Sequence, residues 1–433
     1  MTTLHSPLDA RTTAATAGTV APRTRVVAAT VAGNALEFYD FVTYAFFAVY
    51  IGRTFFPADT PLASLLMSVA VFGVGFVSRP LGGVLIGAYA DRAGRKPAML
   101  LTIGLITVGT LGLALTPGHA QIGLAAPVIV VLCRLVQGLA LGGEVGPSTA
   151  FLIEIAPPHR RGAYAGWQLA SQGLATLVAG GAGLAVTTWL TPAQVESWGW
   201  RLPFVFGLLL LPVAVYLRRH MTESMHAPAA GEAAGWPLVW AQRRVIGVAL
   251  LVVMGATVAN YVGTFMTTYA ITTLKFAPGV AMGATVMVGA ITLVGALLGG
   301  WLSDRWGRRA VMLWPRIGTA LVAVPAFSLL VAHPTQGMLL ASTAVLALLT
   351  AISGSASIIA IPELLPKAVR ATGLSIAYAL GVTVFGGTTQ FIVTALIAST
   401  GNPAAPAWYV AATSAMAALA ILVLPESRGR ALR

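Results

Sequence analysis

Residues 87–96 read Gly87-Ala88-Tyr89-Ala90-Asp91-Arg92-Ala93-Gly94-Arg95-Lys96, and the centre of that stretch returns as Asp304-Arg305-Trp306-Gly307-Arg308, 213 residues later. Each copy follows a long apolar run. A second pattern, E-x-x-P-x-x-x-R, occurs as Glu154, Pro157, Arg161 and again as Glu363, Pro366, Arg370, 209 residues further on. A single D-R-x-G-R is weak. Two motifs that repeat at nearly one offset, close to half the chain length, divide the sequence into two related parts.

Working outward from these loops, the flanking runs are too apolar for a soluble fold. The chain has 433 residues, 57% of them hydrophobic and 9% charged, and a mean hydropathy of +0.83. A soluble domain carries about 25% charged residues. Runs of about 20 apolar residues span a bilayer, and such runs fall near 26–51, 62–89, 98–116, 124–153, 162–190, 199–217, 242–274, 279–302, 310–331, 337–360, 371–397 and 405–424. They are apolar on every face, which argues against a large soluble bundle of one-stripe helices. The expected architecture is an all-α membrane protein of twelve transmembrane helices in two six-helix halves, 26–217 and 242–424. A cytoplasmic linker, 218–241, joins them. The tail 1–25 is polar, lacks a short apolar core and reads as disordered and cytoplasmic rather than as a signal peptide; 425–433 forms a second cytoplasmic tail.

The net charge of +13 is a topology signal. With the amino terminus inside, 20 of the 26 Lys and Arg residues fall in cytoplasmic segments, as the positive-inside rule requires. An even number of spans returns the carboxyl terminus to the same side. The charges are scattered over seven segments and are not gathered on one face, so nucleic acid is not an expected partner; the partner is the lipid bilayer of the cell (inner) membrane. Cys133 is the single cysteine and can form no internal disulfide. The chain carries no G-x-S-x-G, H-E-x-x-H or Walker A pattern, so hydrolytic chemistry and direct ATP coupling have no visible machinery. No metal or cofactor is expected, and the chain is not expected to be an enzyme. Parallel repeats of membrane helices instead build transporters with a midplane site between the repeats.

The loop segment 87–96 resembles the signature of the major facilitator superfamily, and Arg134-Leu135-Val136-Gln137-Gly138, continuing to Gly142-Gly143-Glu144, resembles its fourth-helix motif. Gly33-Asn34-Ala35-Leu36-Glu37-Phe38-Tyr39-Asp40-Phe41, Ser78-Arg79-Pro80, Trp198-Gly199-Trp200-Arg201-Leu202-Pro203-Phe204 and Phe385-Gly386-Gly387 are similar to the metabolite–proton symporter family within it. Thr267 to Thr273 and Gly386 to Phe391 look most like its citrate and tricarballylate members. The resemblance implies import of a small organic acid with protons, by a chain expected to act as a monomer; family members also carry dicarboxylates, shikimate-like acids and betaines. A non-transporting membrane sensor on the same fold is the rival reading. By the same resemblance Asp91, Arg92 and Arg95 form a cytoplasmic latch, with Asp304, Arg305 and Arg308 as its copy. Glu154 with Arg161 and Glu363 with Arg370 are its candidate partners.

Ionisable residues within spans face a cavity or a partner. Asn34, Glu37, Asp40, Phe41 and Tyr44 share an arc of about 120° on the first span, near midplane. Glu37, Asp40 and Glu144 are the candidate proton carriers; pairing of the first two with Arg79 or Arg134 as plain structural ion pairs is the alternative. Arg79 and Arg134 lie at neighbouring depths, and Arg134 shares a narrow stripe with Gln137 and Glu144, which aims its guanidinium at the cavity. Gln168 and Gln172 on the fifth span, Asn260, Thr264 and Thr267 on the seventh, and Tyr378 and Gln390 on the eleventh complete the candidate substrate contacts. Arg316 is expected to snorkel to the interface, and Arg201 to pair with Glu196.

Overall fold

A computed structural model describes residues 23–93, 95–142, 152–153, 156–219, 236–366, 373 and 376–429. Every regular element among them is helical. The long helices are α1 (Arg23–Phe46), α2 (Ala48–Phe55), α3 (Pro61–Val77), α4 (Arg79–Ala93), α5 (Arg95–Leu115), α6 (Ala125–Gly142), α7 (Arg161–Trp189), α8 (Leu202–Arg219), α9 (Arg243–Thr272), α10 (Pro278–Trp306), α11 (Arg308–Ala332), α12 (Gln336–Leu364), α13 (Gly387–Thr400) and α14 (Ala405–Val423). Nine helical stretches among the described residues are long and apolar enough to cross a membrane, with α3 and the start of α4 forming one, Pro61–Ile86. Leu100–Leu115 and Gly199–Leu209 are shorter apolar helices.

Packing follows from small residues. In a membrane, helices associate through close van der Waals contact, which small side chains permit. α7 lies against α10 along its length: a Cβ on Gly162 would run into Gly300, and one on Gly180 into Thr285. α3 meets α13 where Gly73 abuts the Gly387 carbonyl. Both contacts join helices from the two sequence repeats, as does the contact of α1 with α9. The largest buried apolar cluster runs through this junction and includes Phe38, Phe41, Phe72, Phe76 and Tyr261.

Two breaks shape the site. Pro80 lacks a backbone N–H and cannot continue a helical ladder from α3. The ladder gives way to a turn at Ser78, whose hydroxyl donates to the Leu135 carbonyl of α6 at 2.9 Å. Arg79 therefore opens α4, pressed against α6, where a Cβ on Gly142 would strike its backbone. The second break is a π-helical turn, Val382–Gly386, ahead of α13. Such turns interrupt the regular ladder and occur often at functional sites; here Thr383 donates to the Phe76 carbonyl of α3 at 3.2 Å.

Candidate functional site

Below the aromatic cluster lies a cavity of about 860 Å³ between the helices of the two repeats. Arg79, Gln168, Gln172, Asn260 and Tyr378 line it, with Thr257, Tyr261, Thr292, Thr343, Thr350 and Ser357 among the other polar groups. Arg79 is the only charged side chain among its described lining residues. Its guanidinium stands over the rings of Phe76, 4.1 Å from the centroid, and Phe41, at 4.5 Å. The Tyr261 phenol lies beside it. Nε and Nη2 of Arg79 are buried without a hydrogen-bond partner, as is Nε2 of Gln172. Tyr378 sits next to both residues. Leaving a buried donor unpaired is expensive, so this cluster of donors suits an incoming acceptor. A carboxylate fits a guanidinium by charge and by its two parallel oxygens.

Behind the Phe41 ring sits a second polar system that does not line the cavity. Asp40 on α1 accepts from Thr110 of α5 at 2.6 Å and from the Gln137 amide of α6 at 2.5 Å. Gln137 in turn accepts from Arg134 at 2.8 Å. The Arg134 guanidinium lies over Tyr44 at 4.5 Å and Phe41 at 5.0 Å. Arg134 and Asp40 are thus joined through Gln137 and make no direct ion pair. Arg79 and Arg134 share the ring of Phe41, so the charge on one is felt at the other.

The structure corrects several expectations. Arg134 and Gln137 turn from the cavity towards α1 and α5, because the shared stripe on α6 is the face that packs there. Tyr44 is a floor for Arg134 and donates to the Ser68 carbonyl. Asn34 is spent on Ser171 at 2.5 Å, tying α1 to α7. Thr264 bonds back to the Asn260 carbonyl, a common use of a hydroxyl within an apolar helix, and Thr267 pairs with Thr285. Gln390 is fully buried, outside the cavity lining. Arg316 does not snorkel: it is 1% exposed and donates to the Gly255 carbonyl of α9 at 3.0 Å. Arg201 leaves Glu196 to Arg53, at 2.9 Å, and itself donates to the carbonyls of Ser197 and Thr116. Glu37 is buried on α1. Glu144, Glu154 and Arg370 lie outside the described residues, as do the side chains of Asp91, Arg92 and Arg95.

At the basic ends of the helices the second D-R-x-G-R copy forms a network across the junction. Asp304 accepts from the backbone N–H groups of Gly162 and Ala163, at 2.8 and 2.9 Å, and so caps α7. Arg308 holds Asp304 at 2.7 Å and Glu363 at 3.3 Å, and Arg161 approaches Glu363 at 4.0 Å. Glu363 therefore pairs with Arg308 and Arg161 from other helices, which a motif read within one loop does not reveal. Arg305 stays outside this network, over the Trp301 ring. Two members escape the repeats altogether. Ser427 donates to Glu363 at 2.7 Å, and Glu426 accepts from the backbone of Arg308 and Arg309.

The model of the sugar (and other) transporter family matches residues 26–224 and 212–433. The chain belongs to this family of the major facilitator superfamily. It is 36% identical to a citrate-proton symporter of Salmonella typhi over 98% of both chains. It is 35% identical to an alpha-ketoglutarate permease of Escherichia coli K12, over 93% of each. The fold matches that of the proton:xylose symporter XylE, with a TM-score of 0.79 over 94% of this chain and 97% of that one, at 18% identity. These relatives are named as transporters and not as enzymes.

Proposed function

We propose that this chain is a proton-coupled symporter that imports a small organic acid by alternating access, with citrate or a related tricarboxylate as the first candidate. The observation that carries the reading is Arg79: a buried guanidinium with unpartnered N–H groups, the one charge among the described residues of an otherwise neutral cavity. The names of the relatives support the same class, and the permease among them makes a dicarboxylate the second reading. A betaine suits the site less, since no described lining residue is acidic and the nearby faces of Phe41 and Phe76 are covered by Arg79.

In this reading the carboxylate lies on Arg79 and Gln172, with Tyr378 beside them and Gln168 and Asn260 orienting the rest. Asp40 carries the coupling proton. Ionised, it offsets Arg134 through Gln137; protonated, it leaves the Arg134 charge uncompensated behind Phe41, and an anion at Arg79 is favoured. Proton and anion then bind together. Coupling matters because each negative charge moved into an inside-negative cell costs about 2.3 kcal/mol per 100 mV.

The topology proposed is twelve spans in two halves, 26–217 and 242–424, with both termini on the basic, cytoplasmic side. Asp304, Arg308, Glu363 and Arg161 latch the halves there, and Asp91, Arg92 and Arg95 are the proposed counterpart in the first repeat. The test is uptake of labelled citrate, tricarballylate, 2-oxoglutarate and glycine betaine in a transport-deficient host, with and without a protonophore. Protonophore-sensitive accumulation of an acid supports the reading. Accumulation of betaine alone, or uptake indifferent to the proton gradient, overturns it.

A further inference from the structure

Resting on the organic-acid reading above, we infer that the cavity accepts its cargo with a single ionised carboxylate, so that the other carboxyl groups of a polycarboxylic acid enter protonated and carry protons across with them. Arg79 alone among the described residues puts a charge on the cavity wall. Arg134 is held by Gln137 and lies over Tyr44, and Arg316 is committed to the Gly255 carbonyl. Neither lines the cavity.

Among the described lining residues the free N–H donors also gather in one place. Arg79 offers Nε and Nη2, and Gln172 offers Nε2, with Tyr378 adjacent to both. One carboxylate uses these up. The rest of the described wall is neutral: Thr257, Asn260, Thr292 and Thr350, with the Thr343 hydroxyl buried and unpartnered. A second ionised carboxylate against that wall would lack a counter-charge, and a buried acid in that position takes up a proton instead. Protonated, it both donates and accepts, which matches hydroxyl and amide partners.

The protein has titrating groups of its own around Arg79. Tyr261 on α9 and Tyr378 face it, Arg134 on α6 lies across Phe41, and Asp40 and Glu37 sit on α1. The test must divide their contribution out. It uses purified protein and two probes, citrate and a citrate dimethyl ester with one free carboxyl. Dissociation constants are measured by calorimetry at steps between about pH 7.5 and pH 8.5, where free citrate has lost all its carboxyl protons. Titration of the protein affects both probes alike, so the ratio of the citrate constant to the ester constant reports the cargo.

Uptake of two protons by bound citrate makes that ratio rise about one hundredfold per pH unit. A rise of about tenfold, one proton, or a flat ratio overturns the inference while leaving organic-acid transport standing. If neither probe binds at any pH, the substrate reading is wrong and this inference falls with it. Arg79→Gln is expected to weaken both probes by about tenfold or more. An ester that keeps its affinity in this variant while citrate loses it also overturns the inference, because Arg79 would then be meeting a carboxylate the ester lacks.

Discussion

Arg79 and Arg134 share the ring of Phe41, yet substitutions near each probe different links. At Arg79 the link is binding. A lysine keeps the charge but loses the planar fork that meets two carboxylate oxygens. Arg79→Lys is expected to weaken citrate binding by about tenfold or more while the protein still reaches the membrane; unchanged affinity by tryptophan quenching would remove Arg79 from the site. At Asp40 the link is coupling. Asp40→Asn retains a hydrogen-bonding side chain between Thr110 and Gln137 but cannot release a proton. Accumulation against a gradient should fall to equilibration, whereas exchange between labelled and unlabelled cargo continues. An Asp40→Asn protein that still concentrates its cargo would transfer the proton role to another group, with Glu37 the next candidate.

At the scale of elements, the position of Arg79 depends on how closely α4 crosses α6. That approach exists because Gly142 has no side chain facing the Arg79 backbone. Gly142→Ala must push the two helices apart, at a cost of about 1–3 kcal/mol. A lower melting temperature together with weaker citrate binding is the expected result, and wild-type values for both would mean that the crossing is not what positions the guanidinium. The start of α11 is secured from outside the helix. Its leading N–H groups, at Arg308 and Arg309, reach the Glu426 carboxylate, which completes donors that an isolated helix leaves unsatisfied. Partial burial pushes the Glu426 carboxyl up, but backbone N–H groups of Arg428, Arg308, Arg309 and Ser427 outweigh it and hold it below its ordinary value. A depressed carboxyl stabilises the fold above its unfolded pKa, and that contribution is lost as pH falls through the folded value. Glu426→Gln should therefore melt earlier than the parent near neutral pH, and the gap should close as pH drops below about 4. A gap that is constant across that range would rule out the charge as the stabilising feature.

Across the whole molecule, the network proposed as a latch ties helices of the two repeats together. Asp304 on α10 caps α7 from the other repeat, and Arg308 joins it to Glu363 and so to Arg161. In the proposed cycle, opening the basic side strips α7 of that cap. Asp304→Asn keeps an acceptor but surrenders the charge that favours a helix amino terminus and holds Arg308. Cysteines placed along the cavity wall should then react faster with a reagent applied from the basic side, with cargo affinity little changed. Reaction rates equal to those of the parent would show that the network is structural and does not gate.

Two repeated loop motifs and a scarcity of charge were enough to read a two-part, all-helical membrane chain from the sequence, because hydropathy and repeat spacing are properties of the chain that no partner alters; the superfamily came from the resemblance of residues 87–96 and 134–144 to its signatures. Arg79, Gln168, Gln172, Asn260 and Tyr378 were also legible as site candidates, since polar groups stand out in apolar spans. Helix periodicity could not say which neighbour a polar face meets. Arg134 and Gln137 share a stripe that turns to Asp40 and Thr110 and away from the cavity. Arg316, six to eight residues from a helix end, is sealed by α9 where it was expected to reach water. Thr110, Tyr261, Ser427 and Glu426 carry no local signal at all; each matters through a contact with a helix distant in sequence. Direction within a bundle is set by packing against other helices, and that was decided only by the tertiary structure.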